Sequence, residues 1–260
     1  MINAVNRFGR LLSAAAAVVV MVGIARGAVA QVTVSSVIMT FQPGKRPVQN
    51  VMVGNSSDNP AYVLASVEKI LDPEAGGNTT EPSENILISP KAFSIEPRGS
   101  RATRLLLRAP PAEKEEVYRI VFTPQDRGFG STVKKEIGGR SASIRVLTGM
   151  GMLLFVEPVN PVGKLRWERA QDTITFSNSG NLHVELSDGK ACKGDTCSTL
   201  ERKRVYPAAP YTVKVDPAAR VTYLARTGSA GAFESLEIDA AAAASTTGEI
   251  SPAAGSAGKR

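Results

Sequence analysis

One histidine, two cysteines and a few glycine-rich turns are the places where this chain of 260 residues could do chemistry. A serine or cysteine hydrolase needs a base to take the nucleophile's proton, so any such triad must use His183. His183 sits in NLHVEL, where strand alternation predicts it on the face opposite Leu182 and Val184, turned to solvent. The sequence has no nucleophile elbow of the form G-x-S-x-G. Gly149 and Gly151 begin like a dinucleotide fingerprint, but the third glycine position holds Leu154 and no helical pattern follows. GSAGKR, near the end, resembles a phosphate loop with the wrong spacing. Paired carboxylates for general acid and base work come from distant positions and leave no local signature. No cofactor motif emerges, and the expectation is a protein that is not an enzyme.

Cys192 and Cys197 stand in ACKGDTC. A C-x4-C pair without a second ligand pair is a poor zinc site, since zinc takes four ligands, so no metal site is expected. In an exported protein the two are predicted to form a disulfide that closes a short loop and pins a hairpin tip. Export is the reading of the first thirty residues: Arg7 and Arg10 precede the apolar run LLSAAAAVVVMVGIA, which ends in AVA before Gln31. Residues 1–30 are therefore predicted to be a cleaved signal peptide, with no membrane insertion afterwards, because no later stretch approaches the roughly 20 apolar residues of a spanning helix. That leader carries three arginines and no acid, so its loss lowers the net charge from +7 to about +4. The remaining excess lacks the concentrated basic stripe of a nucleic-acid surface, and no nucleic-acid partner is expected.

The elements that would position any site are strands. Short runs rich in β-formers recur about every ten residues, which is the spacing of an all-β sandwich. In the first half they are VTVSSVIMTF, VQNVMVG, AYVLASVEKI, a weak pair around NILIS and AFSIE, ATRLLLRA, VYRIVFTP and the long stretch ending LTGMGMLLFVEP. PGKRP, NSSDNP, DPEAGGNTTEPSE and APPAEKEE separate them with turn residues. After EPVNPVGK the pattern restarts with LRWERA, TITFSNSG, LHVELSDG, RKRVYP, YTVKV, RVTYLAR and FESLEI, with Trp167 expected in a core. The predicted fold is all-β, with two immunoglobulin-like β-sandwich domains arranged at an angle around a cleft. Residues 31–158 would form the first domain and 159–240 the second, with 241–260 left without structure because the tail has one large apolar side chain, Ile250.

Residues 142–156 read as one strand of about fifteen residues, far longer than the usual five or six. Ile144, Val146, Met150 and Met152 alternate along its even face, while Leu147, Leu153 and Phe155 occupy the odd one. A long apolar edge strand invites aggregation unless it has a use. One use is to complete another protein's unfinished sheet, with backbone hydrogen bonds giving affinity and alternate side chains filling pockets. Methionine suits that task because its flexible thioether adapts to several pocket shapes.

The order of PAYVLASVEKI after NSSDN, RLLLRAPPAEKEEVYRIVFTP, a basic glycine-rich loop into IRVLTGMGMLLFVEP, and TITFSNSGNLHVELSDGK resembles the periplasmic chaperones of chaperone–usher pilus assembly, nearest to their divergent branch. The likeness spans about residues 31–238. It implies a non-enzymatic periplasmic chaperone that lends its first-domain G strand to pilin subunits and passes them to an outer-membrane usher. Carried over by position, Ile144, Val146, Met150 and Met152 become the donor residues, and residues 126–140 the loop that precedes them. The better-known branch places an arginine and a lysine in the cleft for the subunit's terminal carboxylate; here those positions hold Ile38 and Gly151. The anchor must then come from elsewhere, and Arg104 and Arg119, on adjacent strand candidates, and Arg145, at the start of the donor strand, are the candidates, since the arginine fork matches both carboxylate oxygens. Competing readings are a pilus structural subunit or adhesin, and an exported carbohydrate-binding module. The first would carry a free N-terminal extension and the second a cluster of exposed aromatics.

Overall fold

The computed structural model describes residues 32–125, 132–137, 140–145, 147–241 and 245–252, with 132–137 and 140–145 as backbone only. The expected signal peptide lies outside the described residues. Among these residues no helix is long and apolar enough to cross a membrane.

The first half contains β1 (Val32–Val34), β2 (Ile38–Phe41), β3 (Val48–Asn55), β4 (Ala61–Ile70), β5 (Thr80–Pro82), β6 (Ile86–Ser89), β7 (Ala92–Ile95) and β8 (Ser100–Leu107). It continues with β9 (Glu116–Gln125), β10 (Thr132–Ile137), β11 (Arg140–Arg145) and β12 (Met150–Val156). One sheet runs β1-β3-β8-β6; the sheet facing it runs β2-β12-β9-β4-β5, with β7 also on β4. VTVSSVIMTF, expected as one strand, changes sheets midway: β1 pairs antiparallel with β3, and β2 pairs parallel with β12.

Alternation dictates the interior. Val51 and Val53 of β3, Val63 and Ala65 of β4, Ile120 and Phe122 of β9, and Leu154 and Val156 of β12 all point into one buried core.

The second half holds β13 (Leu165–Ala170), β14 (Thr173–Asn178), β15 (Val184–Lys193), β16 (Thr196–Thr199), β17 (Lys203–Val205), β18 (Tyr211–Lys214), β19 (Arg220–Thr227), β20 (Glu234–Ile238) and β21 (Thr246–Ile250). Its sheets are β18-β14-β13-β21 and β16-β15-β19-β20, with β17 on β15. They enclose a separate core that includes Leu165, Phe176, Val184, Leu186, Val221 and Tyr223, with the Phe176 and Tyr223 rings edge to face at 5.8 Å. Trp167 is half-buried against this core. The tail departs from expectation, because β21 lies within the stretch predicted to lack structure and pairs with β13. One apolar anchor is too little signal in the sequence, and the five residue pairs that β21 makes with β13 depend on an edge no local pattern reveals.

Two turns use the same device. Asn55, in GNSSDN, is buried and donates through Nδ2 to the Asn59 carbonyl at 2.7 Å while Oδ1 accepts from Ser57 N at 3.0 Å. Asn178, in SNSGN, is buried, donates to the Leu182 and Val205 carbonyls, and accepts from Gly180 N at 2.9 Å. Each asparagine satisfies its own buried amide with turn backbone, which makes these polar segments part of the fold. Cys192 and Cys197 face each other across the β15–β16 hairpin and are joined by a disulfide.

Candidate functional site

The greasy stretch of residues 142–156 is two strands. β11 pairs with β10 in a two-stranded ribbon, in register from Thr132 opposite Arg145 to Ile137 opposite Arg140. β12 then enters the six-stranded sheet, antiparallel to β9 from Met150 to Val156. On its other side β2 covers only Leu153 to Val156. Among the described residues, Met150 to Met152 therefore keep one open backbone edge.

The faces of β12 differ from the sequence expectation. Met152, predicted to face a partner, is 2% exposed and packs into the first core with Leu154 and Val156. The pleat decides this: β12 lies inside a sandwich, so its even residues must share the face that meets the other sheet. Met150 is half-buried at the rim of the same core. Val146 lies outside the described residues, and so do the side chains of Ile144 and Arg145. Gly149 runs close to β9, where a Cβ would sit 3.1 Å from the Phe122 carbonyl oxygen.

On the odd face, Leu153 and Phe155 join Ile38, Ile70, Val117 and Tyr206 in a third apolar cluster drawn from both halves of the chain. Beside it opens a cleft of about 370 Å³, with Arg119 and Leu153 on one wall and Arg202, Lys203, Arg204 and Tyr206 on the other. Arg119 stands opposite Leu153 in the ladder and donates to the Gly77 carbonyl. Arg204 lies with its guanidinium 5.4 Å from the Phe155 ring centre, and its buried Nε has no hydrogen-bond partner among the described residues. Arg202 is committed elsewhere: with Arg226 it pairs the fully buried Glu185, and although burial pushes that carboxyl up, the two arginines hold it below its ordinary value. Among the described residues, neither Arg119 nor Arg204 has a carboxylate partner.

Arg104 is separate. It is exposed on β8, between Asn50 and Ser89 in the other sheet, so β8 and β9 are not the neighbours that the anchor reading assumed. Of the candidate anchors whose side chains are described, Arg119 lines the cleft and Arg104 does not.

His183 overturns its prediction as a solvent-facing residue. It is fully buried, and its Nδ1 lies 2.7 and 2.9 Å from the two carboxylate oxygens of Glu115. Its backbone N–H donates to the same carboxylate at 3.2 Å, and Glu115 N donates to Asn181 O at 2.9 Å. Phe155 and Tyr206 flank the ring at 4.9 and 5.5 Å. Strand alternation misled because β15 begins at Val184, so His183 belongs to the turn before it. Glu157 closes the group; burial pushes its carboxyl up, Glu115 adds to the rise, and Gln42 and His183 oppose it. This polar bridge between the halves carried no sequence signal.

A profile of the pili and flagellar-assembly chaperones, PapD N-terminal domain, matches residues 31–160. The chain belongs to this family. Among curated relatives, the probable fimbrial chaperone EcpB of Klebsiella pneumoniae (strain ATCC 700721 / MGH 78578) is 25% identical over 167 residues, covering 60% of this chain and 72% of its own. The crystal structure of the Pseudomonas aeruginosa CupB2 chaperone superposes with a TM-score of 0.55 at 16% identity, over 81% of this chain and 100% of that one. A Salmonella enterica SafA pilin complex with the SafB chaperone matches with a TM-score of 0.53 at 17% identity, over 82% and 98% of the two chains. At such identities the likeness to solved structures concerns the fold: two immunoglobulin-like sandwiches. The open edge at Met150 to Met152 and the cleft at Arg119 are thus features of an assembly chaperone's first sandwich and of its junction with the second.

Proposed function

We propose that this chaperone acts in the periplasm, after loss of residues 1–30, by lending residues 142–152 to the incomplete sheet of a pilin subunit and passing that subunit to an outer-membrane usher. The observation that carries this reading is the open backbone edge of β12 at Met150 to Met152, continuous in sequence with β11 and adjacent to the cleft. A pilin strand pairing along that edge would take its affinity from main-chain bonds. Ile144, Val146 and Met150 would supply the side chains; Met152 serves the chaperone's own core. Arg119 is our candidate for a subunit's terminal carboxylate, with Arg204 across the cleft as a second cation.

Co-expression with a candidate pilin subunit tests the proposal. The double substitution Ile144→Asp, Val146→Asp should cut captured pilin at least about tenfold, because desolvating two carboxylates in an apolar groove is strongly unfavourable. Circular dichroism of the free protein should be unchanged. Full recovery of pilin with the doubly substituted chain would exclude strand donation.

A further inference from the structure

β13 has β14 on one side and β21 on the other. Without β21 its outer edge would present unpaired N–H and C=O groups beside the only tryptophan of the chain, Trp167. The segment that prevents this leaves the opposite sheet at Ile238 and pairs from Leu165 opposite Ile250 to Arg169 opposite Thr246. Few of its side chains hold it. Ile250 is its one large apolar side chain in contact with the second core, and Gly248 crosses the indole so closely that a Cβ would lie 2.5 Å from the ring. Glu249 pairs with Arg166 and, at 3.4 Å, with Lys164, all on accessible surface where such pairs add little. The Thr227 hydroxyl donates to the Pro252 carbonyl at 2.5 Å.

The covered edge is self-complementary. Antiparallel pairing of two β13 strands about Trp167, with each indole turned away from the place over Gly248 that it fills here, would set Arg166 of each copy opposite Glu168 of the other, in an arrangement with twofold symmetry. In the ladder as it stands, Glu249 holds the place opposite Arg166 that the second copy's Glu168 would take. We propose that residues 245–252 are a built-in edge cap, lent by the chain to its own second sandwich, and that they block pairing of β13 with β13 of a second copy.

Sedimentation of the full chain and of a chain lacking residues 242–260 tests this. The full chain should stay monomeric with respect to this edge; the shortened one should double in mass as concentration rises, with Trp167 emission shifted to the red in its dilute monomer. Glu168→Arg added to the shortened chain sets like charges opposite one another and should return it to the monomer. Gly248→Leu in the full chain, which lifts β21 off Trp167 without removing it, should reproduce the concentration-dependent doubling. A shortened chain that remains monomeric, a dimer that survives Glu168→Arg, unchanged Trp167 emission, or loss of fold in both the shortened and the Gly248→Leu chains would each overturn the proposal.

Discussion

Two consecutive strands, the last of the first sandwich and the first of the second, meet opposite fates. β12 is covered on one side by β9 and on the other by β2 only from Leu153 onward, leaving Met150 to Met152 open. β13 is covered on both sides, by β14 and by a strand from the chain's own tail. In the neighbouring sheet of the second sandwich the outer strand β16 is tied to β15 by the Cys192–Cys197 disulfide. Open edges are hazards that proteins close by default. A fold that covers β13 with a strand from its own tail and leaves Met150 to Met152 of β12 uncovered is therefore informative about where a partner strand would enter.

The comparison breaks most sharply within β12 itself. If the strand divides its residues between the core and a partner, Met152→Ala should cost about 2–5 kcal/mol of stability, as for a large buried side chain truncated in place. Met150→Ala, half-buried at the rim, should cost about 1 kcal/mol and weaken pilin capture more than its effect on folding accounts for. Urea unfolding of both variants, set beside pilin co-purification, separates the two roles. Equal losses of stability would mean that Met150 is as much a core residue as Met152.

How much of this was legible in the sequence follows from how local each signal is. Strand periods and turn residues are local, so the two sandwiches, most strands of the second half and the disulfide could be read directly. The face of Met152 could not, because both faces of LTGMGMLLFV are apolar and only the opposite sheet decides which is inside. His183 was misplaced for a related reason: alternation was extended one residue beyond the strand, into a turn buried by Glu115 from the other half. The tail strand was invisible because its stability comes from the β13 ladder and not from its own composition. Of the anchors, sequence proximity of ATRLLLRA and VYRIVFTP suggested adjacent strands, whereas the chain crosses between sheets after β8 and sends Arg104 and Arg119 to different surfaces.

The separation of those two arginines provides the next test of whether the open edge works together with the cleft. Losing a charge-assisted contact to a subunit carboxylate should cost about 1.5–3 kcal/mol, so Arg119→Ala should weaken pilin binding by roughly 10- to 100-fold. Arg104→Ala, on the exposed face of the four-stranded sheet, should leave binding unchanged within error and so serve as the control. Titration of purified pilin complexes by competition measures both. If the two substitutions have equal effect, the cleft does not contribute an anchor.

The smallest effect concerns the junction that holds the open-edged half against the closed one. Glu157 is buried there, and its carboxyl is raised above the ordinary 4.5 first by burial and then by Glu115, against the opposing Gln42 and His183. A carboxyl raised in the folded state binds its proton more tightly than in the unfolded chain. Between the unfolded and folded values the native state thus holds more protons, and the slope of stability with pH is negative: this group's penalty is absent well below 4.5 and grows as pH rises through the folded value. Glu157→Gln removes the titration while keeping the shape. Its stability relative to the parent should therefore increase from about pH 5 to about pH 8, read as a widening gap between urea midpoints. Parallel midpoints across that range would detach Glu157 from the pH response of the junction.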